Sequence, residues 1–164
     1  MTAGNDVVDL RLPAGWDLIP PDTAGASGLA ALAARRAPAA SGFTPTISLA
    51  LHHDVDAEQV ARVGSETVRR LDSRADDVRI RRREAIGSGR TEGLAQELRL
   101  TTMLDGRPLE VAQLLLVLVL AEGGSDRLMA WAITVTAAAE ELPEVLPDVE
   151  ALLASIGTDP APRG

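Results

Sequence analysis

The chain has 164 residues, a length that suits one domain. Its formal net charge of −8 at pH 7 and its 2% aromatic content argue against a nucleic-acid-binding protein, which needs a basic surface and aromatic side chains that stack on bases. The chain lacks cysteine, which excludes disulfides, thiolate metal sites and a cysteine nucleophile.

The N-terminal segment carries no recognisable export signal. Residues 1–10 have neither a positively charged n-region nor an apolar h-region, and we predict a flexible tail over 1–6. The longest apolar run, 114–121, is far shorter than the roughly 18–20 residues that cross a bilayer. We therefore expect a cytoplasmic protein without membrane insertion, and an exported domain trimmed of its signal is the alternative.

The stretch VVDLRLPAGWDLIP, residues 7–20, predicts two short strands joined by a turn. Residues 7–12 alternate between apolar and polar, as a half-buried strand does. Pro13 ends that strand because it has no N–H for the ladder, and Gly15 permits a backbone turn that other residues resist. We predict that Trp16 buries its ring at the bend, and contact with a partner is its alternative role.

Two further strands are predicted before the first helix. Residues 28–38 are ambiguous, because their alanines favour a helix whereas their alternating leucines favour a strand; we predict a strand. Residues 43–53 alternate clearly and end on the only two histidines of the chain. Since neighbours in a strand point to opposite faces, His52 and His53 cannot easily share a metal ion, and we predict no metal site.

Residues 56–73 give the clearest helix in the sequence. Asp56 and Gln59 have the spacing of a capping box, in which each side chain bonds the backbone N–H of the other residue. Apolar residues recur every three or four positions through the segment, which produces one buried stripe. A second helix is predicted over 141–156, with Pro147 in its first turn, where a missing N–H costs no hydrogen bond.

Four strands joined by tight turns are predicted between the two helices, over 77–87, 91–104, 109–124 and 127–137. An Asp-Gly turn within 105–108 makes its flanking strands antiparallel, because parallel strands need a long crossover. Residues 109–124 become apolar on both faces, so we expect a central strand that is covered on both sides.

The whole pattern predicts an α+β fold. We expect an antiparallel sheet of six or seven strands with helices on its faces. The single domain is predicted to span 7–156, and a flexible tail is predicted over 157–164.

The segment RIRRRE, residues 79–84, is the one basic cluster of an acidic chain. On a regular strand, Arg79, Arg81 and Arg83 project from one face. One interpretation is an edge strand whose charges prevent unwanted pairing with another sheet. A second interpretation is a docking strip for an anionic partner, with Trp16 as a further candidate contact. A site for small anions or nucleic acid is the remaining one.

Two glycine-rich segments resemble known phosphate-binding or catalytic motifs but do not match them. Residues 86–93 break the G-x-G-x-x-G spacing because residue 92 is Glu, and no lysine follows, so we predict a turn between strands. Residues 25–30 lack the G-x-S-x-G of a nucleophile elbow. We therefore predict no catalytic residue, no cofactor and no enzyme activity.

The order of these motifs resembles that of the PsbP-like superfamily. The strand–Pro-x-Gly-Trp–strand entry, the strand and acid-capped helix over 44–71, the segment DGRPLEVAQLLLVL and the closing LLASI carry the resemblance. The superfamily includes photosystem II extrinsic proteins, a Ran-binding import factor, mycobacterial lipoproteins of the LpqN type and chaperones of type VI secretion effectors. The resemblance implies an α/β/α sandwich and a protein-binding role.

We expect a non-catalytic adaptor or chaperone that binds a protein partner, and the resemblance implies a link to a secretion system. All sixteen basic residues are arginine, which is typical of a high-GC bacterium. Homodimerisation stays open. A small-molecule-binding domain is the main alternative, and a roomy pocket with polar groups near His52 or Arg99 would favour it.

Overall fold

A computed structural model describes residues 12–19, 31–35, 40–73, 75–87, 89–121 and 126–157. In these residues the chain forms one antiparallel sheet of seven strands, which confirms the predicted fold class. The strands are β1 (Trp16–Leu18), β2 (Ala31–Arg35), β3 (Thr46–His53), β4 (Asp76–Ile86), β5 (Gly93–Leu104), β6 (Arg107–Ala121) and β7 (Leu128–Ala138). Their order across the sheet is β1-β2-β3-β7-β6-β5-β4.

Two helices cover opposite faces of the sheet. The helical elements are α1 (Ala57–Asp72), two 3-10 turns (Gly89–Thr91 and Ala139–Glu141) and α2 (Leu142–Gly157). Along β7, Ile133 lies in a buried cluster with Val145 of α2, whereas its neighbour Ala132 lies in a second cluster with Val60 of α1. Because adjacent residues of a strand point to opposite faces, the architecture is the expected α/β/α sandwich.

The predicted capping box begins α1. Asp56 Oδ1 accepts from the Gln59 N–H at 2.9 Å, and Gln59 Oε1 accepts from the Asp56 N–H at 2.9 Å. The helix predicted over 141–156 is confirmed as α2, but the place predicted for Pro147 is wrong, because Pro147 lies inside the helix and not in its first turn. Pro143 occupies the first turn instead, where the backbone N–H has no intrahelical acceptor.

Trp16 packs in the core on the face that α2 covers. The residue is 4% exposed, and its indole N–H donates to Asp148 Oδ2 at 2.9 Å. Gly15 before it has a φ of 94°, a conformation that glycine adopts without strain, and this allows the bend. The predicted burial of the ring is confirmed, whereas the strand predicted over 7–12 lies outside the described residues except for Leu12.

β6 is a central strand, as predicted, but only one of its faces is fully covered. The face toward α1 is buried, as at Leu115 and Val117. The other face carries a row of leucines, half-buried at Leu116 and Leu118 and 39% exposed at Leu120. Leu116 and Leu118 pack against the buried cluster that contains Val145 of α2, so the expected covering is complete on the α1 face and partial on the other.

Other predicted segments fall partly or wholly outside the described residues. They are the tail over 1–6, the segment over 25–30 and the tail that follows Gly157. The strand predicted over 28–38 is confirmed within its described part, which is β2. The limits of the domain stay a prediction.

Glu141 ties the loop before β3 to the start of α2. The backbone N–H and the hydroxyl of Ser41 donate to its two carboxylate oxygens at 2.8 and 2.9 Å, and Glu141 is 5% exposed. We expect Glu141→Ala to lower the free energy of unfolding by about 1.5–3 kcal/mol, because two donors lose a charged acceptor.

Urea denaturation measures this change, and the neighbouring Glu140 supplies the control. Glu140 is exposed, so Glu140→Ala is expected to stay within about 0.5 kcal/mol of the parent chain. Equal losses in the two variants would contradict the assigned role of Glu141.

Candidate functional site

β4 forms one outer edge of the sheet and carries the basic cluster. It has eleven residues, and its inner side pairs with β5. Every residue from Arg79 to Ala85 is exposed, including Ile80 at 46%. Within the described ranges, no strand pairs with the outer side of β4. The opposite edge, β1, has only three residues, so β4 is the longer exposed edge.

A β-bulge overturns the prediction that alternate arginines share one face. Arg79 pairs with Arg99 and Arg83 pairs with Gln96, so four steps along β4 oppose three steps along β5. Arg81 is the extra residue at the second of two irregularities in this ladder. Because three steps along β5 change the face, Arg79 and Arg83 lie on opposite sides of the sheet.

Arg79 is neutralised by carboxylates of its own chain. Its two terminal nitrogens donate to Asp77 and to Glu110, each at 2.9 Å. Glu110 also lies 4.0 Å from Arg99, which in turn bonds Glu97 at 2.9 Å. Glu97 of β5 and Glu110 of β6, the two acidic residues that these strands place on this face, are therefore both paired with arginines of the same chain.

A buried glutamine orients Arg83 on the other face. Arg83 Nε donates to Gln96 Oε1 at 2.6 Å, and Gln96 Nε2 donates to the Gly64 carbonyl of α1 at 3.2 Å. Gln96 has no exposed surface, whereas Arg83 is exposed. This pair of bonds joins the sheet edge to α1 and fixes the direction of the Arg83 side chain.

Arg81 and Arg82 are the two arginines of the edge whose side chains have no partner among the described residues, whereas Arg83 keeps its charge but bonds the neutral Gln96. The side chains of Arg81 and Arg82 are both exposed, and neither makes a hydrogen bond or ion pair with another residue in the part of the chain that the structure describes. Arg82 pairs in register with Glu97, but that carboxylate is bonded to Arg99. The sequence pattern selected Arg81 and missed Arg82, because strict alternation assigned the two residues to different faces.

The structure does not bring Trp16 and the arginines together. β1, which begins with Trp16, and β4 are the two opposite edges of the sheet. Since Trp16 is also buried, we leave it out of the proposed surface.

The two histidines lie at the end of β3. His52 pairs with Ala130 and His53 with Met129, so the two exposed side chains point to opposite faces, as the strand prediction required. Among the described residues, no three histidine, aspartate or glutamate side chains cluster closely enough to hold a metal ion.

Two surface grooves border α1. A groove of about 800 Å³ lies between the first turn of α1 and the ends of β4 and β5, and its lining includes Asp56, Arg83 and Glu92. A smaller groove of about 300 Å³ lies beside His52 and His53.

No helix within the described ranges has the length and apolar character that crossing a bilayer requires.

The structure is similar to solved structures, although no protein-family model and no curated protein sequence matches the chain. LpqN, involved in cell envelope biogenesis of Mycobacterium tuberculosis, aligns with a TM-score of 0.56 at 17% identity, over 88% of this chain and 79% of LpqN. The Ran-binding protein Mog1p of Saccharomyces cerevisiae aligns with a TM-score of 0.48 at 14% identity, over 90% of this chain and 85% of Mog1p. PA94 of Pseudomonas aeruginosa, a protein of unknown function, aligns with a TM-score of 0.43 at 13% identity, over 93% of this chain and 86% of PA94. The chain has the PsbP-like fold that the resemblance implied.

Proposed function

We propose that this chain is a non-catalytic protein-binding domain and that β4 is its binding surface. The observation that carries the proposal is the adjacent pair Arg81 and Arg82, exposed and unneutralised on an edge strand. The chain as a whole has a net charge of −8, so this pair is a local exception to the general charge. A surface of this kind favours a partner with carboxylates at the contact.

Arginine is the residue best suited to such a contact. Its planar guanidinium forms two parallel hydrogen bonds to one carboxylate, and these charge-assisted bonds are shorter and stronger than neutral ones. Because the edge is open to solvent, we expect binding to weaken as salt screens the charges. Arg79 and Arg83, which are held by their own partners, flank the free pair and shape the surface around it.

We further propose that the binding serves an adaptor or chaperone role for a protein partner. The resemblance to the PsbP-like superfamily, which includes chaperones of secretion effectors, supports this choice. A homodimer through β4 is disfavoured, because antiparallel pairing of two such strands about their centre opposes arginine to arginine, and like charges opposite each other destabilise a sheet.

The decisive experiment compares capture of the partner by two double variants. Arg81→Ala/Arg82→Ala removes the free pair, and Arg69→Ala/Arg70→Ala removes two exposed arginines at the end of α1 as the matched control. Each tagged protein is expressed in the source organism, cross-linked and purified, and its adducts are quantified by mass spectrometry.

We expect the β4 variant to lose most of the principal adduct. The α1 variant is expected to retain it. Equal capture by the parent chain and the β4 variant would remove β4 from the proposal.

Small-molecule binding is a second candidate function, favoured by the groove of about 800 Å³ beside α1. The residues that line this groove include acidic side chains, as at Asp56 and Glu92, and the basic side chain of Arg83. This site and the β4 edge share Arg83, Glu84 and Ala85 but not Arg81 or Arg82, so the double variant at Arg81 and Arg82 separates the two functions.

A further inference from the structure

We infer that the partner binds as an extended acidic segment that adds an eighth strand to the sheet along β4. This inference rests on the proposed function and specifies its mode. Addition of a strand to an exposed sheet edge is a common form of peptide recognition, in which the backbone bonds supply affinity and the side chains supply specificity.

The backbone of β4 is suited to this mode. From Arg82 to Ile86 the strand pairs with residues 93–97 of β5 in unbroken register, so this half of β4 is regularly pleated. Its outer side faces no other strand among the residues that the structure describes. Every second residue of a strand directs its N–H and C=O groups to the same side, so this half presents bonding groups to an incoming strand.

The side chains of the edge select the composition of the segment. Arg82 lies at the beginning of the regular half of β4, and Arg81 precedes it at the bulge. An incoming strand places its own side chains about 4.5–5.5 Å from those directly opposite, which is within reach of a guanidinium. Carboxylates on the segment would therefore pair with these two arginines, whose side chains have no partner among the described residues.

A second copy of this chain does not fit the edge as well as an acidic segment does. In antiparallel pairing about Arg81, the Arg81 residues of the two copies oppose each other and Arg79 opposes Arg83, and these like charges repel. A nucleic acid could neutralise arginine, but it has no peptide N–H to enter a β-ladder.

The test uses a defined probe, the capped and fluorescein-labelled octapeptide Glu-Val-Glu-Val-Glu-Val-Glu-Val. Two further versions carry N-methyl groups on all glutamates or on all valines, which removes the N–H groups along one edge or the other of the extended peptide. A lysine-for-glutamate peptide and an eight-residue oligothymidylate serve as controls. Fluorescence anisotropy measures binding to the full chain and to Arg81→Ala/Arg82→Ala.

We expect the unmodified peptide to bind and one N-methylated version to lose at least about tenfold in affinity, while the other keeps it. The arginine variant and the lysine peptide are expected to lose binding, and the oligothymidylate is expected not to compete. This pattern supports strand addition, since only a backbone ladder distinguishes the two edges of the peptide.

Other outcomes overturn the inference in distinguishable ways. If both N-methylated versions bind like the parent peptide while the arginine variant fails, strand addition is wrong and the proposed function stands. If the arginine variant binds all peptides as the parent chain does, the proposed function fails as well. Strong competition by the oligothymidylate, or no binding of the unmodified peptide, also overturns the inference.

Discussion

Trp16→Ala is expected to lower the free energy of unfolding by about 3–5 kcal/mol, the range for removal of a buried aromatic side chain. Trp16 is 4% exposed in the cluster that joins β7 to α2, so alanine would leave a cavity there. The substitution also leaves Asp148 without the indole N–H that it accepts at 2.9 Å. β1 and the bend at Gly15 lose the side chain that anchors them.

Leu18→Ala provides the matched control for this measurement. Leu18 lies in the same short strand but is 62% exposed, so its truncation is expected to change stability by no more than about 0.5 kcal/mol. Urea denaturation followed by circular dichroism compares the two variants. A loss below about 1 kcal/mol for Trp16→Ala would show that the ring is not a core residue.

Gly93→Ala is expected to cost about 3 kcal/mol, the upper end of the ordinary range for overpacking. Gly93 is the first residue of β5, and a Cβ there would meet the backbone carbonyl oxygen of Val117 closer than real Cβ atoms approach any atom. A carbonyl in the middle of β6 cannot move aside as a flexible side chain does. The clash therefore displaces β5 where it pairs with Ile86 of β4.

Thermal unfolding of Gly93→Ala and Glu92→Ala tests this expectation. Glu92 is exposed and precedes the strand, so its truncation should leave the melting temperature close to that of the parent chain. A melting temperature for Gly93→Ala equal to that of the parent would contradict the close approach of β5 and β6.

Local chemistry made most of the fold predictable. Period-two alternation identified the long strands, and the Asp56–Gln59 spacing identified the start of α1, because both patterns depend on neighbours in sequence. The Asp105-Gly106 turn has positive φ at both residues, as the hairpin signal requires. The covering of β6 was not predictable, because an apolar pattern shows that a face avoids water but not which element packs on it.

The basic cluster of β4 was predictable from the sequence, but the faces and partners of its arginine side chains were not. Nothing in RIRRRE marks a bulge, since four of the five residues 79–83 are the same amino acid and no glycine interrupts them. The ion pair of Arg79 joins it to Glu110, which is 31 positions away in the sequence. Only the three-dimensional register shows that Arg79 is neutralised and that Arg82 is free.

A measurement of amide chemical shifts tests the central claim, that β4 is the binding surface, most directly. The ¹⁵N-labelled chain is titrated with the partner identified by cross-linking, and the perturbed amides are mapped onto the sheet. We predict that the largest shifts lie between Arg79 and Ala85. Shifts centred on the leucine row of β6, or on the first turn of α1, with β4 unchanged, would contradict the account.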